Sequence, residues 1–395
     1  MHIRSIDVFR ALTMLLMIFV NDLWTLKDIP LWLEHAPTHV DAMGLADVVF
    51  PCFLFILGTA IPYAIRNRLA KGDSKLKISS HILLRSFALL VMGVFTVNTP
   101  SLNSSATGLP VQLFEILMVT GFFLIWNVYP KSEDWKKYFF VGVRVLGICL
   151  LVWLAFIYRG TNHQTGQLTY FRPQWWGILG LIGWTYLFCS LIYLYTYKSR
   201  PLLLISWLFF TFTCIAGHAG WLRILWENGP QEWFVGNGAF HSFAFAGVIA
   251  TLLLDTYFKP AYFLKLLWFL LGLSLLMAIA AIVSHHFFII SKNLATPTWV
   301  FICCAISFSF YGFIHWLVDV KEKSNWFSII SPAGTSTLTC YLIPYLFYSI
   351  SELIGGSLPD VLKTGVVGLI KSLVFALLII GITALFGKMR IKLTL

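Results

Sequence analysis

Charge is scarce in this chain. Only 11% of its 395 residues are Asp, Glu, Lys or Arg, while 58% are hydrophobic. A soluble globular domain carries about 25% charged residues. So few polar groups cannot cover a water-facing surface of this size, which excludes an ordinary soluble protein. Carboxylates are the scarcer sign: 17 Asp and Glu stand against 28 Lys and Arg, a formal charge of +11. No dense basic run interleaves with exposed aromatics, so nucleic acid is not an expected partner. The seven cysteines all lie in apolar runs and none has CxxC spacing. That excludes a disulfide framework and a cysteine metal site, and leaves small buried hydrophobes. No soluble domain, internal repeat or low-complexity tract stands out.

What is present is hydrocarbon in membrane-length runs. A span needs about 20 mostly apolar residues, and by that measure about 12 candidates (10–12) fit the chain. They fall near 8–26, 46–65, 81–98, 110–128, 138–158, 174–196, 201–217, 239–257, 262–285, 296–318, 333–353 and 363–387. The expected fold is all-α, a polytopic transmembrane helix bundle forming one domain over 1–395. The sixth and seventh segments are separated only by Lys198-Ser199-Arg200-Pro201 and read as a tight helical hairpin. The N-terminus is short, without a convincing cleavage site, and reads as a retained first span. Aromatics at 17%, with 16 Trp, suit two interfacial belts against membrane lipid.

The loops alternate in charge. The connection after the second segment holds Arg66, Arg68, Lys71, Lys75 and Lys77, and later even-numbered connections hold Lys131, Lys136, Lys198, Lys259 and Lys321. Odd-numbered connections are nearly bare, with Lys27, Arg159, Arg172, Arg223 and Lys292 scattered among them. The positive-inside rule then puts both termini in the cytoplasm and the loop bearing His35 and His39 outside. The longer outward connections are 27–45, 159–173 and 218–238, and connections of that length point to function.

Reactive groups concentrate in residues 4–58. Arg4, Asp7 and Arg10 open the first segment at helical spacing, which fits an interfacial ion-pair cluster or a seat for an anionic cofactor. Asn21 and Asp22 close it, where a helix cap explains them. Asp47 opens the second segment, where a carboxylate complements the helix dipole. Between them stand His35, His39 and Asp41. A histidine oriented by a carboxylate or amide is a general base, and His35 and His39 compete for that role. A metal site from His35, His39 and Asp41 has no recognised ligand spacing, and no metal is expected. His218, Asn237, His241, His285, His286, Lys292 and Asn293 also fall at outward ends. Gly334, Ser336 and Tyr341 open the eleventh segment with groups able to line a cavity.

The opening stretch resembles the heparan-alpha-glucosaminide N-acetyltransferase family of polytopic membrane acetyltransferases. The matching residues are Arg4-Ser5-x-Asp7-x-Phe9-Arg10, Met17-Ile18-Phe19-Val20-Asn21, His35-Ala36 and Asp47-Val48-Val49-Phe50-Pro51-x-Phe53-Leu54-Phe55-Ile56-x-Gly58. Later matches are Lys292-Asn293-Leu294 and Pro332-x-Gly334 followed by Tyr341. Departures are Ala11 after Phe-Arg, a longer stretch between His35 and Asp47, and Ser336 for an asparagine. The resemblance implies transfer of acetyl from cytoplasmic acetyl-CoA to an amino sugar on the far side of a bacterial inner membrane. It implies His35 as base or acetyl carrier, with Asn21 and Asp47 beside it. Arg4, Arg10 and Arg85, with Lys292 and Asn293, are the expected acetyl-CoA contacts. His39, Asp41 and His241 are the expected acceptor contacts. A homodimer is the expected assembly. Two other functions fit the same residues: a proton-coupled secondary transporter, and an O-acetyltransferase of envelope polysaccharide.

Overall fold

The computed structural model describes residues 4–130, 135–162, 165–222, 236–257, 263–356 and 358–394. Lys131, Arg223 and Lys259, with most of the 218–238 connection, lie outside these. The elements are α1 Arg4–Asp22, α2 Ala46–Ala70, α3 Lys75–Asn98, α4 Ser104–Thr107, α5 Val111–Trp126 and α6 Trp135–Ile157. A two-residue hairpin follows, β1 Gly160–Thr161 with β2 Leu168–Thr169. Then come α7 Ile178–Thr196, α8 Arg200–His218, α9 Ala239–Tyr257, α10 Phe263–His285 and α11 Pro297–His315. The last are α12 Ser331–Thr335, α13 Thr337–Leu353 and α14 Gly365–Lys388.

Each expected segment contains a helix. Among the described residues, nine helices are long and apolar enough to cross a membrane. α1 falls short because it carries Arg4, Asp7, Arg10 and Asp22. α5 and α13 fall short in length, at 16 and 17 residues. These apolar helices make the chain an integral membrane protein. The hairpin at Ser199 is present: its Oγ accepts from Leu202 N (3.5 Å) and Pro201 occupies the first turn of α8. One cysteine expectation is also corrected, since Cys149 on α6 is exposed while the other six are buried. Much of α6 turns outward, with only Gly147, Leu151 and Leu154 buried, so a thiol there lies outside the core.

The core forms around α9, which packs on α2, α7, α8, α10 and α11. α2 and α9 touch backbone to backbone. A Cβ at Gly58 would lie 1.8 Å from the Ala244 carbonyl oxygen, and one at Gly247 2.0 Å from that of Phe55. Small residues at such crossings let helices approach where no hydrophobic effect drives them together. α1 packs against α2, α12 and α14. Its C-terminal end and the N-terminal end of α2 are joined by residues 23–45, and the candidate site lies at that end of the bundle.

Candidate active site

Asp47 sits in the first turn of α2 but its side chain leaves the helix alone. Oδ2 accepts the main-chain N–H groups of Ala36 and Gly44, each at 3.0 Å, and Oδ1 lies 2.7 Å from His35 Nδ1. The Trp299 indole N–H donates to the Asp47 carbonyl oxygen at 3.0 Å and pins the turn from α11. The carboxylate is 1% exposed, whereas the His35 side chain is 46% exposed. A Cβ at Gly44 would lie 1.9 Å from the Glu34 carbonyl oxygen, so only glycine lets the loop close over the carboxylate. With both backbone donors on Oδ2, Oδ1 is left to accept from the ring. In the neutral ring this pairing favours the proton on Nδ1 and the lone pair on Nε2.

Lys292 completes the group from the α10–α11 connection. Its Nζ is 3.1 Å from His35 Nδ1, 3.3 Å from Nε2 and 3.9 Å from Asp47 Oδ1. Near-equal distances to both ring nitrogens place the amine over the ring face. An in-plane position would collide with the carbon between them. Burial is the largest influence on this ammonium and holds its pKa below the ordinary lysine value, against the opposing pull of Asp47.

Several other polar residues expected at outward ends serve this arrangement. Asn237 Nδ2 donates to the Ala295 carbonyl oxygen at 2.8 Å, and His218 Nε2 lies 3.1 Å from that of Leu294. Ser291 Oγ donates to the Thr38 carbonyl oxygen at 2.8 Å, and Asn293 Nδ2 to Thr38 Oγ1 at 3.1 Å. Asp41 accepts from Ile290 N and pairs with His285 Nε2, both at 2.7 Å; these two contacts, the backbone one first, hold it below the usual carboxylate range. Asp41 and Asn293 thus tie loop 23–45 to the segment holding Lys292. His39 is exposed and forms no hydrogen bond among the described residues. The Asn21 side chain is likewise exposed and does not bond to His35. His241 is not near the group: it is buried on α9, stacked on Phe210 at 4.7 Å and 15°. Among the described residues no set of three or more His, Cys, Asp or Glu is placed to hold a metal ion.

A cavity of about 530 Å³ lies between α1, α2, α3, α7 and the C-terminal tail. Its charged lining is Arg10, Arg85, Lys392 and Asp7, three cations to one carboxylate. Arg10 Nη1 is 3.3 Å from both Asp7 Oδ1 and the Gly334 carbonyl oxygen. Arg85 lies 4.7 Å over the Tyr186 ring, and its buried Nε has no partner among the described residues. Gly334, Ser336 and Tyr341 line the cavity, as their residue types suggested. Arg4 does not; it reaches Ser324 Oγ at 3.5 Å, outside. The lining extends to Met17, Phe53 and Ile178 and does not include His35. Phe53 is six residues from Asp47, about 9 Å along the helix.

Comparison with known proteins places the chain in a family. The family described as "Domain of unknown function (DUF5009)" matches residues 2–257. The chain belongs to that family. Two relatives carry a more specific name, heparan-alpha-glucosaminide N-acetyltransferase. The Mus musculus protein is 39% identical over 101 residues and the Homo sapiens protein 36% identical over 101 residues. Each alignment covers 25% of this chain and only 14% of the relative's own length. His35, Asp47, Arg10 and Arg85 fall within the DUF5009 stretch, whereas Lys292 and Lys392 fall beyond it.

Two features of this DUF5009 chain escaped the sequence reading. Asp22 is not a cap but a hub, 2% exposed. It accepts from Tyr348 Oη, from Lys371 Nζ at 2.6 Å and from Ser372 Oγ at 2.6 Å. A lysine inside an apolar run, Lys371, was the signal available for it. Lys392 gave no signal, because its tail reaches the cavity only through a strap. Lys392 N donates to Asn127 Oδ1 at 2.8 Å, Val128 N to the Lys392 carbonyl oxygen at 3.0 Å, and Leu393 N to Thr339 Oγ1 at 3.0 Å.

Proposed function

We propose that this chain is a membrane acetyltransferase that takes an acetyl group from acetyl-CoA and passes it to the amine of an amino sugar. The observation that carries this reading is the His35–Asp47 pair, a solvent-facing imidazole whose Nδ1 is held by a buried carboxylate. The relatives' name supports acetyl transfer, and the cationic cavity supports a phosphate-bearing donor. Arg10, Arg85 and Lys392 then hold the CoA phosphates, and the pantetheine arm extends towards the His35 end between α1 and α2. Arginine and lysine are suited to phosphate. The donor enters from the cytoplasm, and His35 faces the outer side of a plasma membrane.

The reaction needs a base. An acceptor ammonium loses two protons on becoming an amide; one ends on the departing thiolate and one in solvent. His35 Nε2 takes the first as the amine attacks, or attacks the thioester itself and carries the acetyl group to the amine in a second step. Asp47 holds the ring in the required tautomer and balances the imidazolium.

The test is His35→Ala in purified protein, with acetyl-CoA and glucosamine. Acetyl transfer should fall by about 100- to 10,000-fold, the range for loss of a general base. Acetyl-CoA should still raise the thermal unfolding midpoint, because His35 does not line the cavity. Wild-type turnover in this variant overturns the assignment and makes His39→Ala the next measurement.

A further inference from the structure

We infer that Lys292 is a catalytic residue, its ammonium binding the acetyl carbonyl oxygen while that oxygen carries negative charge. This rests on the acetyl-transfer reading above and departs from the donor-binding role the sequence suggested for this lysine. Lys292 does not line the cationic cavity that suits the CoA phosphates. It stands over the imidazole, 3.3 Å from the atom that reacts.

The geometry fits the chemistry. A carbon approaching Nε2 comes in the ring plane, along the lone pair. Its oxygen then projects to one face of the ring, and the Lys292 amine occupies a face. When the new bond to carbon forms, the carbonyl π pair moves to oxygen. It returns as the C–S bond breaks and CoA thiolate departs. The ammonium keeps all its protons through both events, so the step balances without another reactant. The same oxygen becomes charged whether imidazole or amine is the attacking group.

The turn that carries Lys292 is built to hold it still. Ala295 has φ +51°, a left-handed conformation that residues other than glycine rarely adopt. It persists because bonds close the turn from all sides. Ala295 N donates to the Lys292 carbonyl oxygen at 2.9 Å, Thr296 N to that of Ser291 at 3.1 Å, and Ser291 N to Thr296 Oγ1 at 3.0 Å. Buried Asn237, 2% exposed, fixes the Ala295 carbonyl from α9. A fixed cation aimed at a developing oxyanion needs no reorganisation during reaction.

The groups facing Lys292 are His35 from the loop, Asp47 from α2 and Cys303 from α11. Burial lowers its pKa, so the ammonium is lost at a lower pH than in an ordinary lysine. Activity that needs the ammonium must therefore fall early on the alkaline side.

The experiment measures kcat, KM and pH profile for Lys292→Met and for Lys292→Cys before and after alkylation with 2-bromoethylamine. Lys292→Met should lose about 100- to 1000-fold in kcat, the usual range for one oxyanion donor. Its acetyl-CoA affinity by titration should stay near wild type. Alkylation of Lys292→Cys restores an ammonium at nearly the same reach but of greater acidity, so activity should return with its alkaline limb moved to lower pH. Lost acetyl-CoA affinity with unchanged kcat at saturation, or rescue with an unmoved alkaline limb, overturns the inference. If His35→Ala is also fully active, the failure belongs to the acetyl-transfer reading instead.

Discussion

At the scale of single residues, Asp47 shows how a side chain can mean one thing in sequence and another in space. A carboxylate in a first helical turn is explained by the helix dipole, yet here both its oxygens serve loop 23–45 and His35. Asp47→Asn is the informative substitution. Its amide oxygen can still accept from Ala36 and Gly44, which leaves the amide NH2 facing His35 Nδ1. That donor forces the ring proton onto Nε2, the wrong tautomer. Acetyl transfer should fall by roughly a thousand-fold or more, as in other histidine–carboxylate pairs. The check is steady-state turnover beside an unfolding curve; near-normal activity would show that Asp47 only shapes the loop. His35 and Asp47 were legible as residue types beside helix ends. The role of Lys292 was not, because 257 residues separate it from His35 and no local pattern reports such a contact.

At the scale of elements, hydropathy located the helices and left their contacts open. The twelve apolar segments became helices because only satisfied backbone survives in hydrocarbon. Which of them touch was decided by small residues and by a few buried polar groups. Gly58 is the sharpest case. Gly58→Ala puts a methyl where the Ala244 carbonyl stands, and a helix backbone cannot yield as a side-chain end does. Overpacking of this kind costs about 1–3 kcal/mol, enough to outweigh the gain of about 1 kcal/mol in helix propensity. Thermal unfolding in detergent should show a lowered midpoint. Gly272→Ala, where nothing lies within 4 Å of the added methyl, should not lower it. Equal midpoints for the two variants would mean that the α2–α9 crossing relaxes freely. The Asp22 hub works at the same scale. It ties the last turn of α1 to α13 and α14, and a buried pair of this kind is strongly destabilising to break from one side.

At the scale of the whole molecule, the His35 group and the cationic cavity share α2, the first through Asp47 in its first turn and the second through Phe53 and Tyr63 farther along. The C-terminal tail returns to the bundle and brings Lys392 to that cavity. Lys392→Ala should weaken acetyl-CoA binding by about tenfold or more, since a hydrogen bond to a charged group is worth about 1.5–3 kcal/mol. Isothermal titration decides it, and unchanged affinity would remove the tail from the donor site. The sequence by itself determined the solvent of this protein, its helical class, the position of its helices and the candidate histidine. Those follow from composition and from periods of a few residues, which are local properties. The tertiary structure alone decided that Asp47 turns to His35, that Asp22 is a hub, that Lys292 covers the imidazole and that the tail lines a cavity. Each is a contact between distant parts of the chain, and its partner is chosen by how the helices pack.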